Sequence, residues 1–190
     1  MKNIIIITVL ILSFSVYAQD RKLRVESNHS TVGFKISIAG FTKVTGKFTD
    51  YEISLDWNDP ENIVSKISTV IQVASINTGI PDRDIHLRSA DFFDVEKYPV
   101  ITFESDSILK INYSHFEVVG KLTMHGVTKN IVLPFEIIKM DGNTIGFKSH
   151  TTLNRLDFGI GSEFKHSSMP NFLSKIIELE IDFWTKKRKE

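Results

Sequence analysis

An all-β fold, an antiparallel barrel of roughly eight strands, is what the sequence predicts, and three observations predict it. Apolar and polar residues alternate with a period of two in one segment after another, the mark of strands with one face turned from water. Turn chemistry separates those segments, most clearly at Asp141-Gly142-Asn143, where Asp-Gly tolerates the positive φ angles of a hairpin. Helix-favouring chemistry is confined to one short insertion near residues 80–93.

At the start of the chain, Met1-Lys2 and an almost unbroken apolar run from Ile4 to Phe14 lead to Val16-Tyr17-Ala18, the layout of a cleaved secretory signal. The run is shorter than the roughly 18 to 20 apolar residues a membrane span needs. We expect residues 1–18 to be removed and residues 19–190 to form a single soluble domain, periplasmic or secreted, since no low-complexity linker or internal repeat divides it. The mature chain then carries 22 basic and 23 acidic residues. That balance offers no basic footprint for a phosphate backbone, so no nucleic-acid partner is expected. The one like-charge cluster, Lys186-Lys187-Arg188-Lys189, reads as a solvated tail. Cysteine is absent, and a chain of this length can bury enough surface to fold without disulfides.

Taken in order, Val32, Phe34, Ile36 and Ile38 alternate with Gly33, Lys35 and Ser37. After a break at Asp59-Pro60-Glu61-Asn62 the pattern returns at Ile67, Thr69, Ile71 and Val73. It recurs at Phe116, Val118, Leu122 and Met124, and again at Ile177, Leu179, Ile181 and Phe183. Between these strands, Pro81 suits the first helical position, and Asp82 and Asp84 favour the positive end of a helix dipole. Phe92-Phe93 follow as an aromatic foot. Tyr98-Pro99 then forces an extended path, because proline disfavours the helical region for its predecessor. The stretch reads as a helical lid feeding back into a sheet.

Three blocks carry a resemblance to a known family: Arg83 to Ser105, Gly120-Lys121-Leu122-Thr123-Met124-His125-Gly126-Val127-Thr128-Lys129, and Arg155-Leu156-Asp157-Phe158-Gly159-Ile160, preceded by Asn28-His29-Ser30 and Gly46-Lys47-Phe48. In this order the chain resembles the YceI-like family of secreted polyisoprenoid-binding or lipid-binding proteins. The resemblance implies a lipocalin-like barrel that holds a polyisoprenoid, a quinone or a long-chain fatty acid or amide, with no cofactor. It leaves transient membrane contact and a homodimer open.

Alternation reports burial and not emptiness, so by itself it fits a barrel filled with rings as well as one holding a lipid. On the cavity reading that the resemblance favours, the wall comprises Phe34, Ile36, Phe48, Ile71, Phe92, Phe93, Phe103, Phe116, Val118, Leu122, Phe135, Phe147, Phe158, Phe172 and Ile181. Arg83, His86 and Arg88, beside the insertion, are the candidates for a polar head group; the competing reading makes them structural ties, for example from Arg83 to Asp94. Arg155 and Asp157, two apart, would share a face if they lay on a strand. Each buried methylene is worth about 0.8 kcal/mol, hence roughly 3 to 4 kcal/mol per isoprene unit before association costs. An exposed ion pair adds about 0 to 1 kcal/mol, so the tail should set affinity and the head orientation.

An enzyme is not expected. The histidines at 29, 86, 115, 125, 150 and 166 form no His-x-x-x-His pair. Gly159-Ile160-Gly161-Ser162 lacks the spacing of a nucleophile elbow. A barrel enzyme acting on a hydrophobic substrate and a filled-core interaction module remain the alternatives to a lipid carrier.

Overall fold

The computed structural model describes residues 21–58, 63–141 and 144–187. The expected signal sequence, the Asp59–Asn62 break, the centre of the Asp141 turn and the tail beyond Lys187 lie outside the described residues. In chain order the elements are β1 (Arg21–Val25), β2 (Thr31–Ile38), β3 (Thr42–Phe48), β4 (Tyr51–Asn58), β5 (Ile63–Gln72), β6 (Ile76–Asn77), α1 (Pro81–Arg88), β7 (Val100–Lys110), β8 (His115–Met124), β9 (Val127–Asp141), β10 (Thr144–Asn154) and β11 (Leu173–Lys187). Single 3-10 turns occupy Ser27–His29, Val73–Ser75 and Arg155–Phe158.

All the strands belong to one antiparallel sheet of eleven, against the eight expected. The difference comes from breaks within strands. β1 and β2 both run antiparallel to β11, meeting it at Val25↔Thr185 and Thr31↔Asp182, so they are successive parts of one strand. Ser30 enforces the break: its hydroxyl donates to the Glu26 carbonyl at 2.8 Å and accepts the Trp184 N–H at 3.1 Å. β3 pairs with β2, and β4 with β1 and β5, so these two also share a direction. Counting each broken strand once and setting the two-residue β6 aside leaves eight long strands.

Closure differs at the two ends of this barrel. At the lower end β1 lies between β11 and β4 and completes the ring. At the upper end β3 meets only the short β6, through Phe48↔Ile76. The seam beyond is filled by the chain from Val73 to Tyr98, which carries α1. The helix stops at Arg88. The insertion continues through the Phe92-Phe93 foot as a set of turns, with the Phe92 N–H donating to Ser89 and the Phe93 N–H to Leu87.

Alternation delivers one face of every long strand to the interior. At the lower end that interior is solid: Leu55, Trp57, Val118, Ile145, Phe147 and Thr185 are all buried to 1% exposure or less. The Phe147 and Phe183 rings stack at 4.9 Å, Trp57 meets Phe147 edge-on at 6.5 Å, and Phe135 meets Phe183 at 5.7 Å.

Candidate functional site

The upper half encloses a cavity of about 320 Å³, within the range typical of small-molecule sites. Its side walls are aliphatic and aromatic. β2 and β3 supply Phe34, Ile36, Ile38, Val44 and Phe48; β8 and β9 supply Leu122, Met124, Ile131, Leu133 and Phe135; β11 supplies Ile177, Leu179, Ile181 and Phe183. Phe34 can lie flat across the wall because its neighbour in the ladder is Gly46, where any Cβ would collide with the ring. The roof is built from Leu87 of α1, the Phe92-Phe93 foot, and Ile160, Phe164 and Phe172 from the long connection between β10 and β11. Phe92 touches His86 at 5.0 Å and Phe164 at 5.3 Å, joining helix and connection into one lid.

Four polar side chains reach this wall: Thr69, Arg83, His86 and Arg155. Arg83 donates from Nε to the Thr78 hydroxyl and from Nη2 to the Thr78 carbonyl, both at 2.8 Å. His86 Nε2 lies 3.0 Å from Asp91 Oδ2 near the surface. Arg155 is 6% exposed and is held by backbone: Nε donates to Ser174 O at 2.8 Å, and Nη1 to Ile160 O and Gly161 O at 2.6 and 2.9 Å. Burial lowers its pKa from the ordinary arginine value. Gly161, at φ +60°, gives the guanidinium this approach; a Cβ there would lie 2.7 Å from Phe92 and 3.0 Å from Arg155 Nη1.

Comparison with known proteins bears on this geometry. The model of the YceI-like domain matches residues 23–184. A UPF0312 protein of Pseudomonas putida is 35% identical over 179 residues, covering 92% of this chain and 90% of its own. The chain belongs to the YceI-like family. Among solved structures, a Campylobacter jejuni YCEI protein is 33% identical with a TM-score of 0.69, over 78% of this chain and 88% of that one. A polyisoprenoid binding domain from Saccharophagus degradans, 18% identical, superposes with a TM-score of 0.71 over 90% of this chain and all of its own, a likeness of fold.

Within this YceI-like barrel, the residues read from the sequence fall into two groups. Phe34, Ile36, Phe48, Ile71, Phe92, Phe93, Phe103, Leu122, Phe135, Phe172 and Ile181 line the cavity, as do Arg83 and His86. Phe116, Val118, Phe147 and Phe158 do not. Val118 and Phe147 face inward below the cavity, where the interior is packed solid, while Phe116 is buried outside that core and borders a separate depression with Ile111 and Pro134. Phe158 is sealed beneath its 3-10 turn, its carbonyl 2.9 Å from His125 Nδ1. Arg88 also turns away, donating to the Asp84 and Ala74 carbonyls and so bracing α1 against the preceding turn. Arg155 and Asp157 share no face, because they sit on a 3-10 turn: one is buried inside, the other exposed and bonded to Asn154. Arg83 takes Thr78, not Asp94, as its partner.

Many wall residues were not singled out as such from the sequence, among them Leu133, Leu153, Arg155, Phe164, Ile177 and Leu179. Ile177 and Leu179 belonged to a legible alternation, and Leu153 follows the same rhythm along β10. Phe164 lies in irregular chain, where no periodicity marks it.

Proposed function

We propose that this protein is a carrier that holds an isoprenoid or another long-chain amphiphilic lipid inside the upper half of its barrel, for transport, storage or sequestration. The observation that carries the reading is the cavity itself: an interior space of about 320 Å³ walled by apolar side chains and roofed by an aromatic lid. Apolar walls reward a hydrocarbon chain at roughly 0.8 kcal/mol per buried methylene. The polyisoprenoid-binding function named for the Saccharophagus degradans domain, which shares the fold, supports the same ligand class. The signal-like run at residues 1–18 supports export, with the carrier acting in the periplasm or outside the cell and meeting membranes only transiently. Binding without turnover is part of the proposal. His86, the histidine of the wall, is engaged with Asp91 on the outer side of the lid.

Native mass spectrometry of protein purified without detergent, followed by organic extraction, tests this reading. A bound lipid, released as a polyisoprenoid, quinone or long-chain acid or amide, is the expected result. A clean apo mass together with failure to bind added prenyl and acyl lipids would overturn it.

A further inference from the structure

The titratable and charged side chains lining the cavity are Arg83, His86 and Arg155, and no aspartate or glutamate stands among the lining residues. Only one of the three is truly interior: Arg155 is 6% exposed, whereas Arg83 is half-buried and His86 exposed. A guanidinium has five N–H donors. Nε and Nη1 of Arg155 commit three of them to backbone carbonyls of Ser174, Ile160 and Gly161. Those carbonyls solvate the charge without neutralising it, and the nearest carboxylate in sequence, Asp157, is exposed and bonded to Asn154. Nη2 has no partner. Nor is Nη2 sealed in: among the described residues the sealed, unpartnered side-chain polar atoms are Tyr51 OH, Ser149 Oγ and Trp184 Nε1. Arg155 borders the cavity, whose surface is otherwise almost wholly apolar, and Nη2 is the one nitrogen of its guanidinium left to turn toward a ligand there.

A buried cation left without a counter-charge is costly, and a paired, hydrogen-bonded one is far less so. The cavity therefore has a place prepared for negative charge beneath the lid, with the guanidinium already oriented by its backbone ties and no rotamer freedom left to lose on binding. We propose that Arg155 anchors an anionic head group, a carboxylate or a phosphate ester, so that the cavity selects acidic long-chain amphiphiles over neutral ones of the same tail. This rests on the lipid-carrier reading above and names its ligand class. It also inverts the expected placement of the head: the charge sits under the aromatic lid, beside Phe92, and not out among the helix side chains.

The test is a titration of delipidated mature protein with four probes of one tail: oleic acid, oleyl phosphate, oleyl alcohol and methyl oleate, at neutral pH. The acid or the phosphate should bind at least about tenfold tighter than the ester, the worth of one charge-assisted hydrogen bond. Whichever anion wins identifies the source, fatty acid or lipid phosphate. Arg155→Met should erase the ratio between acid and ester, and Arg155→Lys, which keeps the charge but shortens its reach, should narrow it. That ratio is a readout that a purely structural arginine would not move. Equal binding of all four probes by the unaltered protein overturns the inference while leaving the carrier reading intact. A preference that survives Arg155→Met, or is lost in Arg83→Met instead, overturns the assignment to Arg155. Binding of none of the probes overturns the carrier reading itself. Should Arg155→Met fail to fold, the unaltered protein and Arg155→Lys still decide.

Discussion

The two halves of this barrel are made from the same strands, with the same alternation, yet one is solid and the other hollow. β11 runs through both: Thr185 at its lower end is fully packed, Phe183 forms the boundary, and Ile177, Leu179 and Ile181 above it line open space. Eight strands give an interior just wide enough for side chains to fill or for one small ligand, so side-chain reach decides between the two. Below, Trp57, Phe147, Phe183 and Phe135 span the lumen and meet one another. Above, much of the wall is Ile36, Ile38, Val44, Leu153, Ile177 and Leu179, too short to meet across it, while Phe34 lies flat along the wall and Phe92, Phe93, Phe164 and Phe172 are drawn up into the roof. A barrel of this size is thus a floor and a vessel, distinguished by residue volume and not by pattern.

Substitutions can break that contrast. The largest effect is expected at Trp57, 1% exposed at the centre of the floor. Trp57→Ala should cost about 3 to 5 kcal/mol, read as a lowered midpoint in urea, with lipid capacity per folded molecule retained. Next is Gly161→Ala, which strains a φ of +60° and drives a methyl toward Phe92 and Arg155. We expect a loss of about 1 to 3 kcal/mol and faster release of bound lipid, measured by dissociation of a fluorescent fatty acid. Filling the vessel should do the reverse to the two readouts. Leu179→Trp places a ring into space that is already empty, so it should change stability by less than about 1.5 kcal/mol while reducing lipid binding by about tenfold or more.

The smallest expected effect concerns Tyr51, whose buried hydroxyl has no hydrogen-bond partner among the described residues and whose pKa is raised by burial from 10.0. Its neutral form is favoured in the folded chain. The unfolded chain therefore ionises first as pH rises, so the stability linked to this group is whole below about pH 10 and is lost as pH climbs through the raised folded value. Tyr51→Phe removes an unsatisfied polar atom and should be neutral or stabilising by about 1 kcal/mol or less. It should also flatten the alkaline limb of a plot of stability against pH. A steeper limb in the variant would mean that the hydroxyl has a partner after all.

Much of the wall was legible in the sequence because alternation reports which face is buried, and the residues at Phe34, Ile36 and Ile181 are where that rule places them. The depth along a strand was not legible. Val118 and Leu122 share a face of β8 and are both buried, yet only Leu122 borders the cavity. Nothing in a period of two separates floor from vessel; that needs the facing side chains, which come from strands far apart in the chain. Arg155 was misplaced for a different reason. Its spacing from Asp157 was read as strand-like, but Asn154 accepts the Leu156 N–H and starts a 3-10 turn that sends the two side chains apart. The breaks at Ser30 and Thr49 left the number of strands open in the same way, since hydroxyl-to-backbone bonds compete with ladder bonds without disturbing the apolar rhythm around them.

The ring closes where Leu23–Val25 meets Thr185–Lys187, residues from opposite extremes of the described chain. Pairings so remote in sequence demand the largest loop closure and slow the search for the native state. During synthesis the floor cannot seal until Thr185–Lys187 have emerged, so every nascent molecule passes through an open, unsealed sheet with its apolar face uncovered. Until its final strand pairs, the chain leaves uncovered the apolar face that the finished barrel hides.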